Sequence, residues 1–125
     1  MSKQEFPPLL SLGLHPMTLQ EMRASLVDAF RGSKRRPLIM AGFEKVVQRF
    51  LEEKIEGQFW IDGSFLTKKL DPGNADILFL VKDQYFRTAS TQQQVVIDWI
   101  ARRDLRTEFY CHSFLHYIQE PGHPE

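Results

Sequence analysis

The chain is poor in the features that mark secreted and membrane-spanning proteins. It has a single cysteine, Cys111, so no internal disulfide can form, and this suits a reducing compartment. No apolar run approaches the ~20 residues that cross a bilayer, and the first residues have no apolar core of the kind a signal peptide needs. We therefore expect a cytoplasmic protein that makes no membrane contact.

Neither sign of charge is in excess, since 16 Lys and Arg residues balance 16 Asp and Glu residues. Proteins that bind nucleic acids through the phosphates usually carry a basic excess, so a broad nucleic-acid surface is not expected. The basic run at residues 34–36 is expected to be solvent-exposed charge between two helices. Contact with RNA or with an acidic partner surface is the alternative.

The 125 residues, 42% of them hydrophobic, have room for one domain with a substantial core. We expect an extended N-terminal lead-in over residues 1–17, a domain over 18–118 and a flexible tail over 119–125. The predicted order of elements is α-α-β-β-α-β. This order indicates an α/β fold with helices packed on a small mixed sheet.

Capping motifs and apolar periodicity indicate the helices. Thr18, with Glu21 three residues later, forms a capping box that begins the first helix, and Gly32 follows its end. Pro37 begins the second helix, and Gly57 follows that one. The remaining predictions are a helix that begins after Ser90 and three strands, at residues 58–62, 75–81 and 107–114.

One stretch has a pattern suited to chemistry. The first strand runs into Gly63-Ser64, nine residues follow, and the next strand begins with Asn74, an apolar residue and Asp76. Residues two apart in a strand share a face, so Asn74 and Asp76 should project together. The small Gly63 would let a phosphate approach, and the Ser64 hydroxyl and nearby amides could donate to it. Asp76 could then share a divalent cation with the phosphates.

The same residues also have plain structural interpretations. Gly-Ser ends many strands, and Asp76 could cap a loop or lie at a strand edge, but the combined pattern favours a site. Asp62 could simply accept a backbone hydrogen bond. Asp71, before Pro and Gly, is expected to be a turn residue.

This pattern resembles the signature of the nucleotidyltransferase superfamily, the fold of DNA polymerase beta and of the minimal nucleotidyltransferases. The signature is an apolar residue, Gly and then Gly or Ser, followed after a spacer by acidic–apolar–acidic–apolar, matched here from Gly63 to Ile77. The flanking residues are similar to a bacterial branch of unknown function. That branch also carries an upstream His-Pro-x-Thr-Leu-x-Glu, which is matched here by His15-Pro16-Met17-Thr18-Leu19-Gln20-Glu21. The likeness runs from about Leu14 to about Phe114.

The resemblance implies Mg²⁺-dependent transfer of a nucleoside monophosphate, from a nucleoside triphosphate, to a hydroxyl of a protein, RNA or small molecule. Gly63 and Ser64 would seat the triphosphate, and Asp76 with Asn74 would hold the metal. Glu108 or His112 would assist the nucleophile. The loop residues that could contact phosphates, or could equally be ordinary surface, are Thr67, Lys68 and Lys69.

Two departures from the signature predict impaired catalysis. Asn74 stands where the resemblance expects the first metal-binding carboxylate. His112 stands in the register of the third carboxylate, with Glu108 as a substitute four residues earlier on the same strand face. Each lost carboxylate weakens a site for a hard cation such as Mg²⁺.

A non-catalytic, partner-binding protein is the alternative. Minimal nucleotidyltransferases of bacteria often pair with helical partner proteins in toxin–antitoxin or phage-defence modules. A degenerate member could therefore act as an antitoxin, an immunity protein or a regulator. Such a role predicts an exposed apolar patch.

A zinc site is a weaker alternative. The candidate ligands, Cys111, His112, His116 and His123, match no closed zinc-binding spacing. Their apolar neighbours are typical of a strand. We therefore expect His112 to be structural or a relic of the lost carboxylate.

Overall fold

The computed structural model describes residues 16–102 and 104–119. Most of the predicted lead-in and nearly all of the predicted tail lie outside these ranges. The helices are α1 (Leu19–Arg23), continued by one π-helical turn (Ala24–Asp28), α2 (Arg35–Glu52), α3 (Asp83–Thr88), α4 (Thr91–Arg102) and α5 (Arg106–Phe109). The strands are β1 (Gln58–Asp62), β2 (Ala75–Lys82) and β3 (Cys111–Ile118).

The three strands form one mixed sheet in the order β1-β2-β3. β1 runs antiparallel to β2, whereas β3 runs parallel to β2. The parallel pair needs a long crossover, which the chain makes through α3, α4 and α5. The register pairs Asp76 with Asp62 on one side and with His112 on the other, so these three residues form one row across the sheet.

The hydrophobic core lies between one face of the sheet and the helices. Alternate residues of β2, from Ala75 to Val81, are buried against apolar residues of α2 and α4. The rings of Phe50, Phe59 and Phe79 meet with centroids 4.6–5.0 Å apart. The other face, called here the open face, carries Trp60 and Phe114, which are 42% and 46% exposed.

The structure confirms the mixed α/β class and the small mixed sheet. The Thr18 capping box is present, since Thr18 Oγ1 accepts from the Glu21 N–H and the Glu21 carboxylate accepts from the Thr18 N–H. Ser90 and Gln93 make the same reciprocal pair at the start of α4. No helix within the described ranges is long and apolar enough to cross a membrane.

The predicted third strand was wrong at its start. Residues 106–109 form α5, and Tyr110, at φ +57°, ends that helix before β3 begins. Packing explains the difference, because α5 lies directly on α2: a Cβ added to Gly42 would stand 1.9 Å from the Phe109 carbonyl oxygen. The rings of Phe109 and Trp99 also form a T-shaped pair, with their centroids 5.6 Å apart.

Candidate functional site

The candidate site lies where β1 ends beside the beginning of β2. Gly63 follows β1 with φ +90° and ψ −166°, a conformation that is essentially restricted to glycine. A Cβ added at Gly63 would stand 2.9 Å from Asp76 Oδ2. The structure therefore brings the Gly63 backbone and the Asp76 carboxylate face to face, and a side chain at position 63 would crowd that carboxylate.

His112 completes the site on the other side of Asp76. Its Nδ1 lies 3.6 Å from Asp76 Oδ1, and the two side chains are 43% and 45% exposed. The contact is an ion pair only when the imidazole is protonated. Both groups are open to solvent, so a substrate could reach the carboxylate and the imidazole together.

Asp62 fixes the bend at the end of β1. Its carboxylate accepts the Gly63 N–H at 2.8 Å, as the structural interpretation of this residue predicted. Asp62 is also the cross-strand partner of Asp76. The backbone of a second acidic residue therefore adjoins that of Asp76, although the sequence pattern gave this residue no role in metal binding.

The segment from residue 64 to residue 74, called here the site loop, joins β1 to β2. It begins with a 3₁₀ turn, Ser64–Leu66. The Thr67 hydroxyl donates to the Ser64 carbonyl at 2.7 Å and accepts the Lys69 N–H at 3.3 Å, so it shapes the loop itself. Lys68 is exposed and Lys69 is half-buried.

Arg36 supports the site loop from the protein interior. Its side chain is fully buried, and its guanidinium donates to backbone carbonyls at 2.6–3.1 Å. Burial lowers the pKa of the guanidinium to about 10, an effect that the Asp71 carboxylate opposes, so Arg36 stays protonated at neutral pH. The prediction that residues 34–36 are solvent-exposed charge was therefore wrong for Arg36. The carbonyls that accept its hydrogen bonds belong to Leu26, Phe65, Thr67 and Lys69.

Asp71 attaches the far part of the site loop to the start of α2. Its carboxylate accepts the Arg35 N–H, the Ser33 hydroxyl and the Lys34 N–H at 2.8–3.0 Å. These bonds, led by the Arg35 N–H, hold the pKa of the Asp71 carboxyl below its ordinary value. Asp71 is therefore more than a turn residue: it caps a helix that begins 36 residues earlier in the chain.

The Arg35 side chain reinforces this attachment. It donates to the carbonyls of Pro72 and Gly73, and its guanidinium lies 4.9 Å from the centre of the Tyr110 ring. Arg35 is therefore also structural, in contrast to the predicted solvent role. The sequence did not predict the contacts of Arg35, Arg36 and Asp71, because the residues that make them are far apart in the chain.

Two residues of the predicted catalytic set lie outside the strands. Asn74 is half-buried and directly precedes β2, two residues from Asp76. Glu108 lies on α5, so the prediction that it shares a strand face with His112 was wrong. The structure thus places His112, and not Glu108, in the row with Asp76.

Residues 4–123 match the model of DUF6932, a family of unknown function. The chain belongs to this family. No curated protein and no solved structure matches it.

The metal-ligand geometry of this DUF6932 protein disfavours a zinc site. Cys111 is buried on the core side of β3, and burial raises the pKa of its thiol to about 12, whereas the side chains of His112 and His116 alternate to the other face. His123 lies outside the described residues. Among residues 16–102 and 104–119, no three His, Cys, Asp or Glu side chains are grouped so that they could hold a metal ion.

Proposed function

We propose that this protein is nucleotidyltransferase-like: it binds a nucleoside triphosphate with Mg²⁺ at Gly63 and Asp76, and its transfer activity is impaired. The observation that carries the proposal is the close approach of the Gly63 backbone to the Asp76 carboxylate. A side-chain-free bend beside a solvent-accessible carboxylate leaves room for a phosphate and for a cation shared between the two.

The two candidate ligands, Asp76 and Asn74, have the oxygen atoms that Mg²⁺ prefers but supply little negative charge. Asp76 would provide a carboxylate oxygen and Asn74 an amide oxygen, and both are hard ligands of the type that Mg²⁺ prefers. A Mg²⁺ ion bound there would offset part of the negative charge of the triphosphate. With one formal negative charge from this pair, the site should bind the ion weakly.

His112 is the group best placed to accept a proton. In the proposed transfer, the acceptor oxygen bonds to the α-phosphorus, pyrophosphate leaves, and the hydroxyl proton passes to the imidazole. An imidazole held beside a carboxylate is a common general base. The acceptor would be a hydroxyl of a protein, an RNA or a small molecule.

A second candidate is a non-catalytic protein that binds a helical partner of the toxin or defence type. Three large apolar side chains favour it, because they lie on the open face with Asp76 and remain exposed. They are Trp60, Phe114 and Ile118. Exposed apolar patches of this kind often mark interaction surfaces.

Restoring the missing charge tests the proposed function. We expect Asn74→Asp to bind each nucleoside triphosphate about tenfold more tightly than the wild type in the presence of Mg²⁺, because ligand charge sets the affinity for hard cations. Asn74→Gln adds no charge and should show no gain. The measurement is isothermal titration calorimetry with and without Mg²⁺.

Mass spectrometry of the same mixtures, with candidate acceptors added, tests transfer. An acceptor that gains the mass of a nucleoside monophosphate would show retained activity. If neither the wild type nor Asn74→Asp binds any nucleoside triphosphate, the nucleotide proposal is wrong. The partner-binding candidate would then be preferred.

A further inference from the structure

We propose that Arg36 is a positioning residue that holds the site loop in the conformation that binds phosphate. The inference rests on the proposed function and deepens it, because it names the backbone groups that would contact the phosphates. It follows from the hydrogen bonds of the buried guanidinium, from the geometry of the peptide bond, and from the exposure of Lys68.

The guanidinium is fully satisfied by backbone carbonyls. Nη1 donates to Leu26 and Phe65, Nη2 to Thr67 and Lys69, and Nε also to Lys69, which makes five hydrogen bonds. A guanidinium has five N–H donors in a fixed plane. Its carbon also lies 3.6 Å from the centre of the Phe30 ring. The buried charge is thus tolerated because every donor has an acceptor.

Three of these carbonyls belong to alternate residues of the site loop. In a planar trans peptide, the carbonyl of one residue and the N–H of the next point in opposite directions. The carbonyls of residues 65, 67 and 69 point towards the guanidinium, so the N–H groups of residues 66, 68 and 70 point away from it. The Leu66 N–H donates to the Gly63 carbonyl at 3.0 Å.

The N–H groups of Lys68 and Leu70 are therefore directed to the side of the loop opposite Arg36. The Lys68 side chain is exposed on the same short segment. Backbone N–H groups that point the same way beside a cation can bind an anion, and phosphate oxygens are suitable acceptors. Arg36 thus acts through the loop and need not touch the nucleotide.

Lysine could not replace Arg36 in this role. An ammonium has three donors on a single nitrogen and cannot reach carbonyls spread around a planar fork. With Lys at position 36, at least two of the five hydrogen bonds would be lost. The carbonyls of the site loop would then no longer all be held by hydrogen bonds to position 36. The N–H groups of Lys68 and Leu70 would then lose their common direction.

The test compares Arg36→Lys with Val46→Ala, a core variant on the same helix whose side chain is fully buried. Titrations use each nucleoside triphosphate and inorganic tripolyphosphate, and hydrogen exchange is measured at the amides of residues 66–70. We expect Arg36→Lys to weaken triphosphate affinity at least tenfold and to speed exchange in the loop. Val46→Ala should lower the Tm but keep the wild-type affinity.

The outcomes separate this inference from the proposed function. Wild-type binding of triphosphate together with unchanged affinity of Arg36→Lys overturns the inference alone. A wild type that binds no triphosphate overturns the proposed function, and the inference with it. If Arg36→Lys does not fold, exchange in the wild type decides: tripolyphosphate should protect the amides of Lys68 and Leu70, and equal exchange with and without it overturns the inference.

Discussion

Gly63 is the residue on which the site geometry depends. We predict that Gly63→Ala lowers the free energy of unfolding by about 1–3 kcal/mol, because alanine is strained at this φ and its Cβ would crowd the Asp76 carboxylate. Gly32→Ala is the matched control, since Gly32 also has a positive φ, +86°, but no atom lies within 4 Å of an added Cβ. Urea unfolding of both variants gives the comparison. Equal losses would show that contact with Asp76 contributes nothing.

At the scale of single residues, the sequence predicted one part of the site and missed another. Gly63 and Asp76 could be paired because their spacing follows a local strand–loop–strand pattern. Arg36 and Asp71 could not, because their partners lie 10–38 residues away, and a basic run looks the same whether it is solvated or buried. Only the folded structure shows that one of three adjacent cations enters the interior.

At the scale of elements, hydrogen bonds of the Asp71 carboxylate join the site loop to the start of α2. The pKa of this carboxyl is lowered in the folded state, so its ionised form stabilises the fold above the pKa of an unfolded aspartate. That contribution is lost as the pH falls through the folded-state pKa, below about pH 4. We predict that Asp71→Asn removes this part of the pH dependence of stability.

Unfolding by urea at a series of pH values between 7 and 3 measures the effect. The wild type should lose stability more steeply than Asp71→Asn at the acid end of this range. The Arg106 side chain also lowers the pKa of the Asp104 carboxyl, and this contribution to the pH dependence of stability is the same in both proteins. Parallel curves for the two proteins would mean that ionisation of Asp71 does not stabilise the fold.

The elements differ in how far local sequence determines them. β1 and β2 were predicted closely because strand composition and flanking breakers agree. Residues 107–110 have similar aromatic composition, yet they join α5 and its C-terminal cap. The deciding contact is with Gly42, 67 residues before Phe109, where the missing side chain lets the Phe109 backbone approach α2. No local pattern contains that information.

At the scale of the whole molecule, the hydrophobic core and the candidate site lie on opposite faces of the sheet. One face of the sheet is buried under helices, and the row of Asp62, Asp76 and His112 lies on the open face. The α/β class and the presence of three strands could be predicted from composition and periodicity, although β3 begins four residues later than predicted. Membership of DUF6932 assigns no activity, so function has to be argued from this row and the site loop.

Titration of the wild type, Asp76→Asn and Asp62→Asn with each nucleoside triphosphate, with and without Mg²⁺, tests the central claim most directly. Asp62 is the matched control because it is paired with Asp76 across the strands, and an asparagine oxygen at position 62 could still accept the Gly63 N–H. We predict that Mg²⁺ strengthens nucleotide binding by the wild type and by Asp62→Asn, and that Asp76→Asn loses this dependence. Equal Mg²⁺ dependence in Asp76→Asn and the wild type would contradict a metal–phosphate site at Gly63 and Asp76.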